Sequence, residues 1–107
     1  MKTIPKEILK EMEKYSEFYK KVWKECFKIA PGKILTYGEL AKKIGNKNAA
    51  RAVGMALGKN PFAPIIPCHR VIRKDGKLGG YSARGGIKLK KKMLDYEKTT
   101  GKDYKNQ

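Results

Sequence analysis

Residues 64 to 73 read PIIPCHRVIR, which sets a thiol, Cys68, directly beside an imidazole, His69, behind Pro67 in a chain with two cysteines and one histidine. A free thiol has a reference pKa of about 8.5 and is mostly protonated at neutral pH, so a neighbouring imidazole or a positive field shifts it towards the nucleophilic thiolate. On an extended strand adjacent side chains point to opposite faces, whereas a bend after Pro67 can turn both inward. A histidine acting as base also needs an acceptor on its other nitrogen. Glu97 is the candidate for that acceptor, against the plainer reading of an exposed carboxylate. The plainer reading of Cys68 is a small buried hydrophobe. Zinc is disfavoured by count: a closed site takes about four Cys or His ligands, and the chain holds two Cys and one His.

The elements that must hold this pair follow from local signals. Between positions 5 and 29 an apolar stripe runs through Ile8, Met12, Tyr15, Tyr19, Val22 and Cys26, with Leu9, Trp23 and Phe27 beside it, the spacing of an amphipathic helix. Pro5 suits a first turn and Ser16 can cap a second start, so one long helix and two shorter ones both fit. Pro31-Gly32 ends the segment. A short extended piece then leads to Thr36, which with Glu39 forms a capping box for TYGELAKKIG. A next helix, NAARAVGMALG over 48–58, opens on Asn48 as N-cap. Two short helices joined by a Gly-containing turn make a helix-turn-helix. In the second of them Ala49, Ala50, Ala52, Gly54, Ala56 and Gly58 leave Arg51 as the far-reaching side chain. Such a helix approaches a backbone or minor groove closely but does not read a major groove; tight helix packing is the alternative use of small residues.

Pro64 and Pro67 stiffen the loop that delivers Cys68. Val71-Ile72, the turn residues 74–77 and Leu78 predict a short hairpin, and GGYSARGG over 79–86 a glycine-rich loop. IKLKKKMLDYE predicts a last helix carrying its lysines outwards, followed by a polar tail. The fold class is therefore mostly α with a small β-hairpin, a winged-helix-like helix-turn-helix domain. We expect an N-terminal helical extension over 1–15, a single domain carrying the helix-turn-helix and the Cys68–His69 pair over 16–98 and a frayed tail over 99–107.

Composition agrees with a nucleic-acid partner. Lys and Arg number 26 against 10 Asp and Glu, a formal charge of +16, and such a field attracts polyanions. A thermophile-like surface would carry matching glutamate. No apolar run approaches the roughly 20 residues needed to span a bilayer, and the N-terminus lacks the apolar core of a signal peptide. The expectation is an intracellular protein with free thiols, no membrane partner and no cofactor.

PCHRV, preceded by NAARAVG and Asn60-Pro61 and followed by GGY and the downstream pattern K..ML..E, closely resembles the DNA-binding, catalytic half of the O6-alkylguanine-DNA alkyltransferases, from about residue 17 to Glu97. The resemblance implies direct repair of double-stranded DNA by a monomer that flips an O6-alkylguanine out of the duplex and moves the alkyl group irreversibly onto its own cysteine. It makes Cys68 the acceptor, His69 the base acting through a water, and Glu97 the group holding the imidazole. Arg51 enters the stack where the guanine left, on a helix whose Ala50 and Gly54 allow close approach, and Tyr37 presses on the neighbouring phosphate. Asn60 ties the helix-turn-helix to the active-site strand. Tyr81 gives the leaving guanine a proton, and Ser82 and Pro67 belong to the pocket wall. The sequence departs from the family twice: family members typically carry a further N-terminal ribonuclease H-like domain, and GYSARGG is two residues longer than the usual GY.GG. Two other readings stand beside this one. A non-catalytic damage-binding protein of the alkyltransferase-like kind has another residue in place of Cys68, and a general helix-turn-helix DNA-binding module needs neither Cys68 nor His69.

Overall fold

Ser16 decides how the N-terminal apolar stripe divides. Its hydroxyl accepts the Tyr19 amide at 3.2 Å, so two helices form, α1 (Lys6–Met12) after Pro5 and α2 (Glu17–Phe27) after Ser16. The computed structural model describes residues 3–79 and 85–104. β1 (Leu35–Thr36) runs into α3 (Tyr37–Lys43). There the capping box forms in both directions: the Thr36 hydroxyl accepts the Glu39 amide at 3.1 Å, and the Glu39 carboxylate accepts the Thr36 amide at 2.8 Å.

α4 (Ala50–Gly58) begins later than its sequence suggests, with Ala49 rather than Asn48 as N-cap and no side-chain cap. Asn46 organises the turn instead. Its side chain accepts the Asn48 amide at 3.3 Å and its carbonyl accepts the Ala49 amide at 3.0 Å, which places Asn48 before the cap. α3 and α4 pack together as the helix-turn-helix and α2 lies across both.

The small sheet differs from the expected hairpin. A turn does form, with the Arg73 amide donating to the Lys77 carbonyl at 2.9 Å. Yet β2 (Val71–Ile72) takes its ladder from β1, in parallel, with Leu35 opposite Val71 and Thr36 opposite Ile72. After the turn Gly79 sits at φ +72°, outside the β region. Leu35 supplies the apolar partner that Val71 needs.

The last helix, α5 (Gly86–Thr100), ends at Gly101 in the left-handed region. Its expected outward-pointing lysines meet one exception, Lys90, which is buried. Thr99 and Thr100 continue the helix, their hydroxyls donating to the carbonyls four residues earlier at 2.9 Å.

The core lies where α2 crosses α4 and includes Met12, Val22, Trp23, Leu40, Val53 and Ile66. Trp23 joins the layers: its indole donates to the Ala56 carbonyl at 2.9 Å, and its ring meets Tyr15 and Phe62 edge-on at 4.9 and 5.5 Å. Both cysteines are free and buried. Among the described residues no helix is long and apolar enough to cross a membrane.

Candidate active site

The bend after Pro67 is one turn of 3₁₀ helix, Cys68–Arg70, leading directly into β2. A 3₁₀ turn spaces consecutive side chains about 120° apart, and here the packing around it buries all three. Cys68, His69 and Arg70 are 6%, 1% and 4% exposed.

Asn60 fixes the approach to this turn. Its amide nitrogen donates to the Ile66 carbonyl at 2.9 Å, and its side-chain oxygen accepts the Phe62 amide at 2.9 Å. The loop leaving α4 is thereby tied to the backbone just before Cys68. Burial pushes the Cys68 thiol up, opposed by a hydrogen bond from the Asn60 side chain and by the nearby Lys90 charge. Cys26 is fully buried, its thiol raised by burial and by Cys68, and such a buried thiol is inert.

Glu97 reaches His69. Its two carboxylate oxygens lie 2.9 and 3.0 Å from His69 Nε2. The same carboxylate receives a two-pronged contact from Arg70, Nε to Oε1 at 2.8 Å and Nη2 to Oε2 at 2.7 Å, and accepts the Tyr104 amide at 3.1 Å. Burial alone would raise Glu97, but the hydrogen bonds from Arg70, His69 and Tyr104 outweigh it and bring the carboxyl down to about 2. Glu97 is therefore ionised at neutral pH, an acceptor on both oxygens.

Lys90 and Arg70 are the residues that a reading of the sequence passed over. The Lys90 ammonium donates to the carbonyls of Val71, at 2.8 Å, and Leu78. Burial lowers its pKa while Cys68 raises it. Spacing gave a signal for Lys90, since Lys90, Met93 and Glu97 share one face of α5 at intervals of three and four, and all three are buried.

The remaining candidates gather around a cavity of about 540 Å³ lined in part by Tyr37, Ala50, Arg51, Gly54, Arg73 and Gly79. Tyr37 comes from the first turn of α3 and bridges α4 and the end of the β2 turn. A Cβ on Gly79 would stand 2.8 Å from the Tyr37 hydroxyl, and one on Gly54 3.9 Å from its ring. Burial raises the Tyr37 phenol, and Cys68 lies close enough to add to the effect. Arg51 is exposed on the outer face of α4, with Ala52 beside it and Met55, also exposed, one turn along. Pro67 is buried behind Cys68. Tyr81 and Ser82 lie outside the described residues.

The arrangement thus has two parts, a buried His69–Glu97–Arg70 cluster with the Cys68 thiol in the same 3₁₀ turn and an open cavity walled by a helix of small residues. Residues 17–99 match the family described as 6-O-methylguanine DNA methyltransferase, DNA binding domain. The chain is 50% identical over 84 residues to the methylated-DNA–protein-cysteine methyltransferase of Mycobacterium bovis, covering 78% of this chain and 50% of that protein. In structure it is similar to Mycobacterium tuberculosis OGT in complex with DNA, at TM-score 0.75 and 49% identity over 79% of this chain and 51% of that one. It is similar also to S. pombe Atl1 in complex with damaged DNA containing O6-carboxymethylguanine, at TM-score 0.67 and 36% identity over 76% and 75% of the two chains. The chain spans about half the length of the curated relatives it matches.

Proposed function

The chain belongs to the 6-O-methylguanine DNA methyltransferase DNA-binding-domain family, and from that premise we propose that it repairs O6-alkylguanine in double-stranded DNA by moving the alkyl group onto Cys68. The observation that carries this reading is the buried His69–Glu97 contact at 2.9 Å in the same turn as the thiol. A thiol raised by burial needs a base before it can attack. With Nε2 held by the carboxylate, proton exchange with the thiol falls to Nδ1 of His69, through a water. The thiolate sulfur then bonds to the alkyl carbon as the carbon–O6 bond breaks, the departing guanine takes a proton from the Tyr81 hydroxyl, and the proton that His69 took from the thiol passes through water to the resulting phenolate. Lys90 favours the thiolate by its charge. The product is a thioether, which has no proton to lose and no leaving group to give up, so each molecule acts once.

Access to the alkyl carbon requires extruding the nucleotide, since the O6 atom of a paired guanine cannot reach a buried thiol. The small-residue face of α4 suits a close approach to the minor groove. Arg51 fills the gap in the stack, Tyr37 bears on the adjacent phosphate, and Ala50, Gly54, Ser82 and Pro67 shape the space the base enters. The charge of +16 provides sequence-independent attachment.

Intact mass after incubation with duplex DNA containing O6-methylguanine tests the proposal. A methyl adduct mapping to Cys68 supports it. Tight, damage-selective binding without an adduct supports the damage-binding reading, and binding indifferent to damage supports a general DNA-binding module.

A further inference from the structure

We infer that Asp103 is a positioning residue for the His69 base, acting through Arg70 and Glu97; this rests on the repair reading above. Gly101, at φ +69°, caps α5 with its amide on the Glu97 carbonyl at 2.8 Å and turns the chain back along the helix. The returning segment is held by Tyr104, whose ring meets Tyr96 edge-on at 5.6 Å and whose amide donates to Glu97 at 3.1 Å. Asp103 is thereby brought to Arg70, and its carboxylate accepts Nη2 at 2.7 Å.

The consequence lies in geometry. A guanidinium and a carboxylate in two-pronged contact share a plane, so the orientation of one sets that of the other. Arg70 is gripped from two further sides, by the Ile29 carbonyl on Nη1 at 2.7 Å and by Asp103 on Nη2. Those contacts fix the guanidinium plane, the guanidinium fixes the Glu97 carboxylate, and both carboxylate oxygens meet His69 Nε2 almost equally, at 2.9 and 3.0 Å. Without Asp103 the pair can rock together about the Ile29 contact and carry the imidazole with it. The Asp103 side chain is 37% exposed, so solvent screens its side of the pair and weakens its share of the stability. Its effect is therefore expected on the chemistry more than on folding. Asp103 and Tyr104 also lie beyond residues 17–99, the part of the chain that matches the family, so this brace comes from the flank of the domain.

The test compares full-length Asp103→Asn and Asp103→Glu with the parent. Because the chain has one histidine, the ¹⁵N imidazole spectrum reports His69 alone. The parent should show the proton on Nε2, and Asp103→Asn should broaden or split that signal. Single-turnover methyl transfer from duplex O6-methylguanine should slow about tenfold in Asp103→Asn, with unchanged affinity for the same duplex. Asp103→Glu should recover most of the rate. A parent-like rate in Asp103→Asn overturns the inference, and so does an equal loss in both variants accompanied by a matching fall in Tm, which marks a structural role. If the parent itself transfers no methyl group, it is the repair reading that fails. The imidazole spectrum then decides the brace by itself, and an unchanged signal in Asp103→Asn overturns it.

Discussion

The outer face of α4 and the buried cluster beneath the 3₁₀ turn lie on the same small domain and are built on opposite principles. α4 offers Arg51, Ala52 and Met55 to solvent, few groups with few fixed contacts. Beneath it, Glu97 alone receives His69, Arg70 and Tyr104, each within 3.1 Å. On the proposed reading α4 approaches a polyanion, and such a surface works through small volume and net charge, which tolerate displacement. A proton relay depends on hydrogen-bond geometry, which does not. Substitutions on α4 should therefore produce graded losses of DNA handling, and substitutions in the cluster abrupt losses of chemistry or folding.

The sharpest separation is expected from Cys68→Ala. Methyl transfer should disappear entirely while duplex affinity stays within about twofold, because the thiol is not what attracts phosphates; intact mass and fluorescence anisotropy measure the two. A large loss of affinity would merge the two regions into one. Glu97→Ala comes next. Removing the carboxylate leaves His69 without its acceptor and takes the two-pronged partner from the buried Arg70, which keeps Asp103 and the Ile29 carbonyl. The loss should therefore stay below that of a fully unpaired buried charge, about 3–5 kcal/mol, readable by urea denaturation. Acid should act similarly. The folded-state pKa of Glu97 is depressed to about 2, so the stability it contributes is present above the ordinary carboxylate range near 4.5. That contribution is lost as pH falls through the folded value. Tm should drop between about pH 4.5 and 2 in the parent, and by less in Glu97→Gln.

Smaller effects are expected on α4. Arg51→Ala should slow transfer in duplex DNA by about tenfold while leaving reaction with a free O6-alkylguanine base unchanged, since only the duplex has a stack to fill. Equal losses on both substrates would move Arg51 into the chemistry. Met55→Ala should change duplex affinity by less than about threefold, with Tm unaffected, because its side chain is 58% exposed. An effect as large as that of Arg51→Ala would identify Met55 as a second wedge.

Removing residues 1–14 probes the frame that carries both regions. Met12 is fully buried, and Ile4 and Ile8 pack against the core. Truncation should lower stability by at least the 2–5 kcal/mol typical of emptying a buried Met site, and an unchanged Tm would make α1 an ornament.

Features set by near neighbours in the chain were legible beforehand. Thr36 and Glu39 form their capping box and Ser16 caps α2 because both devices need contacts three residues apart. Asn48 misled for the same reason that made it attractive: asparagine caps well, but Asn46 two residues earlier took the turn. The expected hairpin was half right: its turn closes between Arg73 and Lys77, but β2 takes its ladder from β1, a pairing between residues 36 positions apart that no local pattern announces.

Charge burial was the hardest to foresee. Lys90 stands in a run of lysines, and only its register with Met93 and Glu97 distinguishes it from its exposed neighbours. Arg70 and Asp103 carried no local mark at all.

The sequence by itself determined the ingredients: a lone histidine next to a cysteine, the helix-turn-helix of small residues, and a net charge of +16. Only the tertiary structure decided which charges are buried and what they hold. Whether a carboxylate on α5 meets an imidazole on a 3₁₀ turn depends on how the chain closes upon itself. Desolvation and hydrogen bonding act between residues that are distant in sequence, and apart from the register of Lys90 with Met93 and Glu97 no local pattern marks them.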